Sequence, residues 1–561
     1  MLLRYVNSDK NVSTIGVRGK LKKNQETFDV VIVGAGFAGM YMQHKIQQRG
    51  LSVRLYEAGS GVGGTWYWNR YPGARVDVES VEYSYSFDDD LQQDWSWSER
   101  YASQPELMRY ANYFADRFSL RENMRCDTKV TAAVYDAEKL NWHITTSQGD
   151  EVSAKYCVLA TGFLSSGSVP DFKGLNDYNG NTYLTSKWPK EDINFKDQKV
   201  AVIGTGSSAV QSIPIIAKQA DHLTVFQRTP SFSIPARNGP MDREYEKRVK
   251  SDYPEWRRRQ RYESRAGFIA LNFQPTAPNN KSAIDVSDEE RLIDYETRWE
   301  SGGLCYYNSF VDLLTNEKAN DTLAEFVRNK IREKVKDPET AELLAPKDYP
   351  IMAKRLCADT NYYETYNREN VSLVSIKDSP IEKLTKKGVV VGGHEYEVDS
   401  VIFATGFDAV TGAIKNIDVR GVAGESLDEH WEGAPRAYLG LMSNGFPNLF
   451  FLDGPCANGA LVSPMLLSEH QVEWVDRCIN EIGVGLGAEI VPTLEAEDAW
   501  MQHMHDVGKD SLLHLANSWY MGANIPGKPR ALLSYLGGLE SYRQQCSSGE
   551  ANDYGNFVKT R

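Results

Sequence analysis

The sequence predicts an α/β protein with two Rossmann-like nucleotide-binding domains and a helical insertion in the second of them. Two glycine-rich turns each follow an apolar strand and open a helix, at residues 34–39 and 204–209. Two Ala-Thr-Gly sequences end later strands, at residues 160–162 and 404–406. From about residue 240 to about residue 350 the chain is charged and carries apolar residues at helical spacing, which is typical of an insertion.

The first glycine-rich turn predicts a dinucleotide site. Gly34 and Gly36 allow the backbone to turn sharply and to approach a pyrophosphate, and Gly39 lets the following helix pack on the strand. The amino terminus of that helix then faces the negative phosphates. The next strand ends at Glu57, close to the separation of about 20 residues at which a carboxylate reaches a ribose hydroxyl.

A second turn of the same kind predicts a second dinucleotide. It comprises Gly204, Thr205, Gly206, Ser207 and Ser208. The strand after its helix ends in Arg228 and Thr229, so a cation stands where a site for NAD would place a carboxylate. A guanidinium can pair bidentately with the 2'-phosphate of NADP. Two Ala-Thr-Gly strand ends are typical of flavoproteins that also bind a nicotinamide nucleotide, so we predict FAD at the first turn and NADP at the second.

These elements predict the order of domains along the chain. The order is a flexible extension over residues 1–27, an FAD-binding domain over 28–163 and 408–545, an NADP-binding domain over 164–407 with a helical insertion at about 240–350, and a loose Ser/Gly-rich tail over 546–561.

Composition argues against nucleic acid and membrane as partners. The chain has 63 basic and 76 acidic residues and a net charge of -13, so it lacks an overall basic footprint for nucleic acid. The basic cluster at residues 256–261 has acidic neighbours and predicts a solvated helix face. No apolar run reaches the roughly 18 residues that span a bilayer, and the first 27 residues lack the apolar core of a signal peptide. We therefore expect a cytoplasmic protein.

The cysteines and histidines predict neither a redox dithiol nor a metal site. The seven cysteines form no CxxC or CxxxxC pair, which predicts reduced thiols and excludes the dithiol of disulfide-reductase flavoproteins. His503 and His505 lie beside Asp506 on a predicted helix. We interpret them as a polar surface and expect no metal.

Two longer motifs narrow the prediction to one family. Residues 63–77 read Gly-Gly-Thr-Trp-Tyr-Trp-Asn-Arg-Tyr-Pro-Gly-Ala-Arg-Val-Asp, and a second motif runs from Tyr178-Asn179-Gly180 to Trp188-Pro189-Lys190. Both resemble motifs of the type I Baeyer–Villiger monooxygenases, FAD- and NADPH-dependent enzymes that insert oxygen beside a ketone carbonyl. The likeness extends from about residue 28 to about residue 545. One departure is Leu184, which stands where the second motif of the family has a histidine that matters for activity.

The resemblance implies which residues act. Arg355 would be the fixed cation that stabilises the anionic peroxide and oxyanion, since an arginine is always charged, and Asp77 would hold its guanidinium and contact the flavin. Lys354 would join Arg228 on the NADP phosphate. Trp519 lies in a segment, residues 518–528, that resembles a mobile loop folding over NADP. The other implied cofactor contacts are Thr65, Trp66 and Tyr83 for the flavin and Arg75 for the nicotinamide nucleotide.

The leading prediction is therefore conversion of ketones to esters or lactones with NADPH and O2 through a flavin peroxide, with sulfoxidation as a side activity. The segment 454–465 resembles one wall of the substrate pocket, and its apolar residues favour an apolar ketone. No obligatory protein partner is predicted. One alternative is a flavin monooxygenase that acts mainly on sulfides or amines, which Leu184 favours. Another is a weakly coupled NADPH oxidase.

Overall fold

A computed structural model describes residues 26–270, 276–485, 489–551 and 555–559. The predicted extension over residues 1–27 lies outside these ranges except for its last two residues, which begin the first strand. Within the described ranges, no helix is both long enough and apolar enough to cross a membrane.

Strands occur along most of the chain. In chain order they are β1 (Glu26–Val33), β2 (Val53–Tyr56), β3 (Met124–Arg125), β4 (Val130–Asp136), β5 (Asn141–Thr146), β6 (Glu151–Leu159), β7 (Asn181–Leu184), β8 (Lys199–Ile203), β9 (His222–Gln227), β10 (Ser233–Pro235), β11 (Cys357–Asp359), β12 (Val371–Ser375), β13 (Ile381–Leu384), β14 (Gly388–Val391), β15 (His394–Glu397), β16 (Ser400–Phe403), β17 (Asp418–Arg420), β18 (Leu449–Phe451), β19 (Ile490–Pro492) and β20 (Phe557–Lys559).

The helices lie between and after these strands. They are α1 (Phe37–Gln48), α2 (Thr65–Trp68), α3 (Asp89–Asp94), α4 (Gln104–Arg117), α5 (Ser207–Ile216), α6 (Arg243–Ser251), α7 (Tyr253–Tyr262), α8 (Asp288–Ser301), α9 (Glu317–Lys334), α10 (Pro338–Leu344), α11 (Tyr362–Thr365), α12 (Gly412–Lys415), α13 (Leu427–His430), α14 (Pro464–Gly485), α15 (Leu494–Gly508) and α16 (Leu539–Ala551). Helices α6 to α10 fall in the part of the chain for which an insertion is predicted.

The larger sheet contains the first glycine-rich turn. Its strand order is β17-β4-β5-β6-β1-β2-β3, and β18 pairs with the second half of β6. Strands β18, β6, β1, β2 and β3 are mutually parallel, whereas β5 is antiparallel to both β4 and β6. Residues 30–33 of β1 are buried on both faces, as expected for a parallel sheet covered on both sides. The carboxyl ends of β1, β2 and β6 meet at one edge.

The second sheet contains the second glycine-rich turn. Its strand order is β12-β9-β8-β16-β7, and all neighbouring pairs are parallel. Strands β13, β14 and β15 form a separate antiparallel sheet. The predicted α/β class with two Rossmann-like units is therefore confirmed. In an open parallel sheet, ligands bind beyond the carboxyl ends of the strands, so the two turns mark the edges where the site is expected.

The prediction of a loose tail over residues 546–561 is wrong for the described part of that segment. Helix α16 continues to Ala551, and Cys546 on it is fully buried. Strand β20 pairs antiparallel with β19. Phe557 is buried and packs edge-on against Tyr438, with ring centroids 5.6 Å apart. Apolar contacts with distant residues order this segment, although its local Ser/Gly composition favours disorder.

The prediction that the basic cluster is a solvated helix face is also wrong for part of it. Arg257 on α7 is 2% exposed. It donates hydrogen bonds to Gln92 Oε1 at 2.9 Å, Gln260 Oε1 at 2.7 Å and Ser84 Oγ at 2.8 Å. Arg258 does face solvent. One face of α7 therefore packs against the segment that contains Ser84 and Gln92, and three acceptors help to compensate for burial of the charge.

Candidate active site

The two glycine-rich turns have the backbone geometry that a bound pyrophosphate requires. Gly34 has φ +108° and Gly204 has φ +113°, and a Cβ at either position would lie 2.4 Å from the carbonyl oxygen of Ala160 or Ala404. Larger residues are therefore excluded. Helices α1 and α5 begin just after each turn, and Gly36 and Gly206 cap them without a side chain. The first backbone N–H groups of both helices are thus available to an anion.

The predicted carboxylate at the end of β2 braces the first turn. Glu57 Oε2 accepts a hydrogen bond from the N–H of Ala35 at 2.7 Å, and Oε1 accepts one from the N–H of Gly59 at 2.7 Å. Burial raises the pKa of Glu57, and these backbone hydrogen bonds oppose the rise. Gly39 sits in the first turns of α1, where a Cβ would lie 2.0 Å from the carbonyl oxygen of Gly34.

Residues of the second turn connect it to the ends of neighbouring strands. The Thr205 hydroxyl donates to the carbonyl oxygen of Thr229 at 2.7 Å. Ser207 begins α5, and its hydroxyl lies 3.3 Å from the Cys357 sulfur. Ser208 follows in the first turn of that helix. The turn is thereby linked both to the end of β9 and to the start of β11.

Two predicted phosphate-binding cations are brought together at the end of β9. Arg228 is exposed. Lys354 is half-buried, and its Nζ lies 4.6 Å from the centroid of the Tyr349 ring. Burial lowers the pKa of Lys354, and the nearby charge of Arg228 lowers it further. Two adjacent cations repel each other unless an anion lies between them, so this pair fits a phosphate.

We expect the affinity for NADP+ to fall as pH rises through the lowered pKa of Lys354. Below that pKa the ammonium is charged and attracts the phosphate; above it the attraction is lost. The loss should begin below about 10.4, the ordinary pKa of a lysine. Calorimetric titration of the oxidised holoenzyme with NADP+ at increasing pH measures this, and Lys354→Ala should flatten the profile. An affinity that stays constant up to the ordinary lysine range would contradict the assignment.

The long motif lies against the first turn. The N–H of Gly63 donates to the carbonyl oxygen of Ala35 at 2.9 Å, which places Thr65 and Trp66, the first residues of α2, close to the first turn. Trp66 Nε1 donates to the Tyr83 hydroxyl at 3.0 Å, and the two rings meet edge to face. Burial raises the pKa of Tyr83. The three predicted flavin contacts therefore form one group.

The same motif also reaches the second turn. The Tyr71 hydroxyl donates to Gln211 Oε1 on α5 at 2.9 Å, and Gln211 Nε2 donates to the carbonyl oxygen of Arg75 at 3.1 Å. The Arg75 side chain pairs with Glu99 at 2.8 Å, which sequence reasoning did not anticipate. Residues 63–77 thus bridge the two dinucleotide turns.

Arg355 and Asp77 form the ion pair at the centre of the site. Arg355 Nε lies 3.0 Å from Asp77 Oδ2, and Nη2 lies 2.8 Å from both carboxylate oxygens. Nη1 donates to the carbonyl oxygen of Ala460 at 2.8 Å. The side chains of Arg355 and Asp77 are 24% and 28% exposed. Burial alone would lower the pKa of Arg355, but Asp77 raises it above its ordinary value, so the guanidinium stays charged.

The segment 518–528 is attached to both Ala-Thr-Gly strand ends. Trp519 stacks on Phe163 with ring centroids 6.2 Å apart. Asn524 Nδ2 donates to the carbonyl oxygen of Phe407 at 2.8 Å, and Lys528 Nζ lies 2.7 Å from Asp408 Oδ1. This loop therefore covers the edge where the two domains meet.

The second motif joins the second sheet to the long motif. The N–H of Trp188 donates to the carbonyl oxygen of Trp68 at 3.4 Å, and Lys190 donates to the Ser60 hydroxyl. Leu184 ends β7 and packs in an apolar cluster beside Gly167. The buried Ser186 hydroxyl lies next to the same glycine and has no hydrogen-bond partner among the described residues.

We expect Leu184→His to raise the amount of product formed per NADPH consumed by roughly two- to tenfold, the scale of coupling between distant sites. An imidazole at residue 184 would lie close to the Ser186 hydroxyl, which needs a partner. Product and NADPH are measured in the same reaction. Leu175→His, in the same apolar cluster, should lower stability without improving coupling. An unchanged ratio of product to NADPH consumed in Leu184→His would show that the leucine has no effect on coupling.

Sequence reasoning missed two tyrosines beside Arg355. Tyr307 and Tyr520 interact electrostatically with its guanidinium. Tyr307 lies in a segment without any motif, whereas Tyr520 lies in the predicted loop over residues 518–528, where only Trp519 was assigned a role.

Comparison with known proteins shows the family to which this chain belongs. Residues 28–258 match the family model described as pyridine nucleotide-disulphide oxidoreductase; because the chain has no CxxxxC pair, the likeness concerns the nucleotide-binding fold. A Baeyer–Villiger monooxygenase of Pseudooceanicola batsensis is 41% identical over 95% of this chain and 96% of that protein. A phenazine N-monooxygenase of Lysobacter antibioticus is 40% identical over 95% of this chain and 97% of that protein.

A solved structure extends the similarity to three dimensions. The crystal structure of OTEMO in complex with FAD and NADP superposes with a TM-score of 0.90 at 39% identity, covering 96% of this chain and 100% of that one.

Proposed function

Because this chain belongs to the type I Baeyer–Villiger monooxygenases, FAD- and NADP-dependent flavoenzymes, we propose that it converts apolar ketones to esters or lactones with NADPH and O2. The observation that carries the proposal is the guanidinium of Arg355, held bidentately by Asp77 at the junction of two dinucleotide turns. A fixed positive charge in that place can stabilise negative charge that develops on oxygen atoms during the transfer.

The residues present fit both cofactors. Gly34 and Gly204 leave the space that a pyrophosphate needs, and the uncapped amino termini of α1 and α5 supply N–H donors. Arg228 and Lys354 supply two cations for a 2'-phosphate. When bound, NADPH supplies a hydride to FAD, which passes the electrons to O2.

The protein residues then have separate tasks. Asp77 orients the guanidinium through two parallel hydrogen bonds, a geometry that a carboxylate and an arginine share. The loop over residues 518–528 and the stacked pair Trp519 and Phe163 exclude water. Excluding water strengthens the electrostatic effect of Arg355, because the local dielectric falls.

The wall beside Arg355 supports an apolar substrate. Residues 454–465 lead into α14, which begins at Pro464, and their buried apolar side chains include Ala457, Ala460, Val462 and Met465. The carbonyl oxygen of Ala460 accepts a hydrogen bond from Arg355, so this wall adjoins the charged centre. Apolar walls with a few convergent polar groups suit a ketone better than a charged metabolite.

A ketone panel tests the proposal. The holoenzyme is incubated with NADPH and with cyclic, linear and aryl ketones, and products are identified by mass spectrometry while NADPH loss and hydrogen peroxide release are measured. We expect an ester or lactone from at least one ketone. NADPH consumption balanced by hydrogen peroxide with every substrate would instead identify a weakly coupled NADPH oxidase.

Oxygenation of a heteroatom is the second candidate. It is favoured by the 40% identity to the phenazine N-monooxygenase. It is also favoured by Leu184, which stands where the second motif of the family has a histidine. The same assay with a thioether and an aromatic nitrogen heterocycle separates the two. Turnover of either that greatly exceeds turnover of every ketone would favour this candidate.

We also propose a cytoplasmic location. None of the seven cysteines, all of which lie in the described ranges, forms a disulfide, which supports a reducing compartment.

A further inference from the structure

We propose that Tyr520 and Tyr307 are positioning residues that hold the Arg355 guanidinium in its productive orientation when the loop over residues 518–528 covers the site. The inference rests on the proposed function, since it concerns the orientation of the Arg355 guanidinium.

Both tyrosine hydroxyls are buried, and neither makes a hydrogen bond of good geometry among the described residues, although Tyr520 lies within reach of the Arg355 guanidinium and Tyr307 within reach of Tyr520. Tyr520 is 0% exposed. A buried hydroxyl that lacks a partner destabilises the folded state, and such groups are rare in native proteins. Two of them beside one charged side chain therefore indicate an arrangement that is completed in another state of the site.

The Arg355 guanidinium has an N–H group left that can donate to a tyrosine hydroxyl. An arginine carries five N–H donors, and the structure records four contacts from Arg355, three to Asp77 and one to Ala460. At least one N–H thus faces neither acceptor. Tyr520 packs in the same apolar cluster as Ala460, whose carbonyl oxygen accepts from Arg355, and it interacts with the guanidinium itself.

The two hydroxyls stay neutral and lie close to the charge. Burial raises the pKa of both Tyr307 and Tyr520, and the nearby Arg355 opposes the rise. Each tyrosine therefore keeps its proton at physiological pH. A neutral hydroxyl can accept a hydrogen bond from the guanidinium and donate its own proton onward, so the pair can form a chain from Arg355 through Tyr520 to Tyr307.

The residues of this cluster come from separate parts of the chain. Tyr307 lies in the helical insertion, in the short helical turn Cys305–Asn308. Tyr520 follows Trp519 in the loop. Catalytic hydrogen bonds are often long in an unliganded protein and tighten only when ligands bind. Closure of the loop over the nucleotide would tighten the contact of Tyr520 with Arg355. The orientation of the Arg355 guanidinium would then depend on whether the loop is closed.

Single phenylalanine substitutions test the proposal with a matched control. Tyr520→Phe and Tyr307→Phe remove only the hydroxyl. Tyr306→Phe removes the hydroxyl of the neighbouring tyrosine, which is also buried but donates to the carbonyl oxygen of Tyr295 at 2.8 Å and does not contact Arg355. For each holoenzyme one measures kcat and KM for ketone and NADPH, ester formed per NADPH, hydrogen peroxide release, calorimetric affinity for NADP+, and Tm.

For Tyr520→Phe we expect kcat for ester formation to fall about ten- to a hundredfold, the size of one hydrogen bond to a charged group, with Tyr307→Phe smaller in effect. Hydrogen peroxide release should rise, while both KM values, NADP+ affinity and Tm stay near wild type. Tyr306→Phe should lower Tm and leave kcat unchanged.

Two failures are distinguishable. If wild type forms no ester from any ketone, the proposed function fails. If wild type forms ester and both Tyr520→Phe and Tyr307→Phe keep the wild-type kcat and ester yield per NADPH, only the positioning role fails; a lowered Tm with unchanged kcat would likewise overturn it, because it would show a purely structural role.

Discussion

Arg355→Ala is expected to reduce ester formation by about 10³-fold, since removal of even one preorganised donor from an oxyanion site costs about 10²–10³ in kcat. The guanidinium is charged and held on two sides, by Asp77 and by the carbonyl oxygen of Ala460. No other cation contacts Asp77 among the salt bridges of the described residues, so nothing replaces the lost charge. FAD binding should persist, because the first dinucleotide turn does not involve Arg355.

A lysine at position 355 separates the contribution of the positive charge from that of the guanidinium geometry. Arg355→Lys keeps a positive charge but loses the planar fork that matches a carboxylate, so activity should fall between wild type and Arg355→Ala. Arg237→Ala is the matched control, since Arg237 forms an exposed ion pair with Glu300 and surface pairs contribute little. Rates are measured as ester formed per unit time at saturating NADPH. Wild-type ester formation in Arg355→Ala would refute the central role.

Removal of both phosphate-binding cations should produce the second largest effect. If both cations bind the 2'-phosphate as proposed, Arg228→Ala and Lys354→Ala each delete one charge-assisted hydrogen bond to it, worth about 1.5–3 kcal/mol. Each single variant should therefore lower kcat/KM for NADPH by about ten- to a hundredfold, and the double variant should lower it further. kcat/KM for NADH should change little, because NADH lacks that phosphate.

The comparison of the two nucleotides makes this prediction specific. Arg368→Ala, which removes an exposed arginine hydrogen-bonded to Asn370, serves as the control and should affect neither. Steady-state kinetics with NADPH and with NADH give the selectivity ratio. An equal loss of kcat/KM with both nucleotides would show that Arg228 and Lys354 stabilise the fold or bind the ribose but do not recognise the 2'-phosphate.

Local patterns in the sequence account for the parts of the fold that short-range physics determines. Each strand, glycine turn and helix of the two dinucleotide sites follows from residues close together in the chain, such as Gly34 and Gly204 at positions that require φ above zero. The prediction of a loose tail was wrong for the opposite reason, because Phe557 and Cys546 are ordered by residues far away in sequence.

The centre of the site shows the same limit. Arg355 and Asp77 are 278 positions apart, and neither residue type nor spacing pairs them; the family resemblance did. Tyr307 lies in no motif, Tyr520 lies in the loop motif but without a predicted role, and the burial of Arg257 contradicts its strongly charged neighbourhood in the sequence. Long-range packing decides these features, and a one-dimensional pattern does not encode it.

Isotopically labelled dioxygen tests the central claim most directly. The holoenzyme is supplied with NADPH, labelled O2 and a ketone that it consumes, and the product is analysed by mass spectrometry beside the Arg355→Ala variant. Our account predicts an ester or lactone with a single labelled oxygen atom from wild type and almost none from the variant. An unlabelled product, or equal labelled product from both proteins, would contradict it.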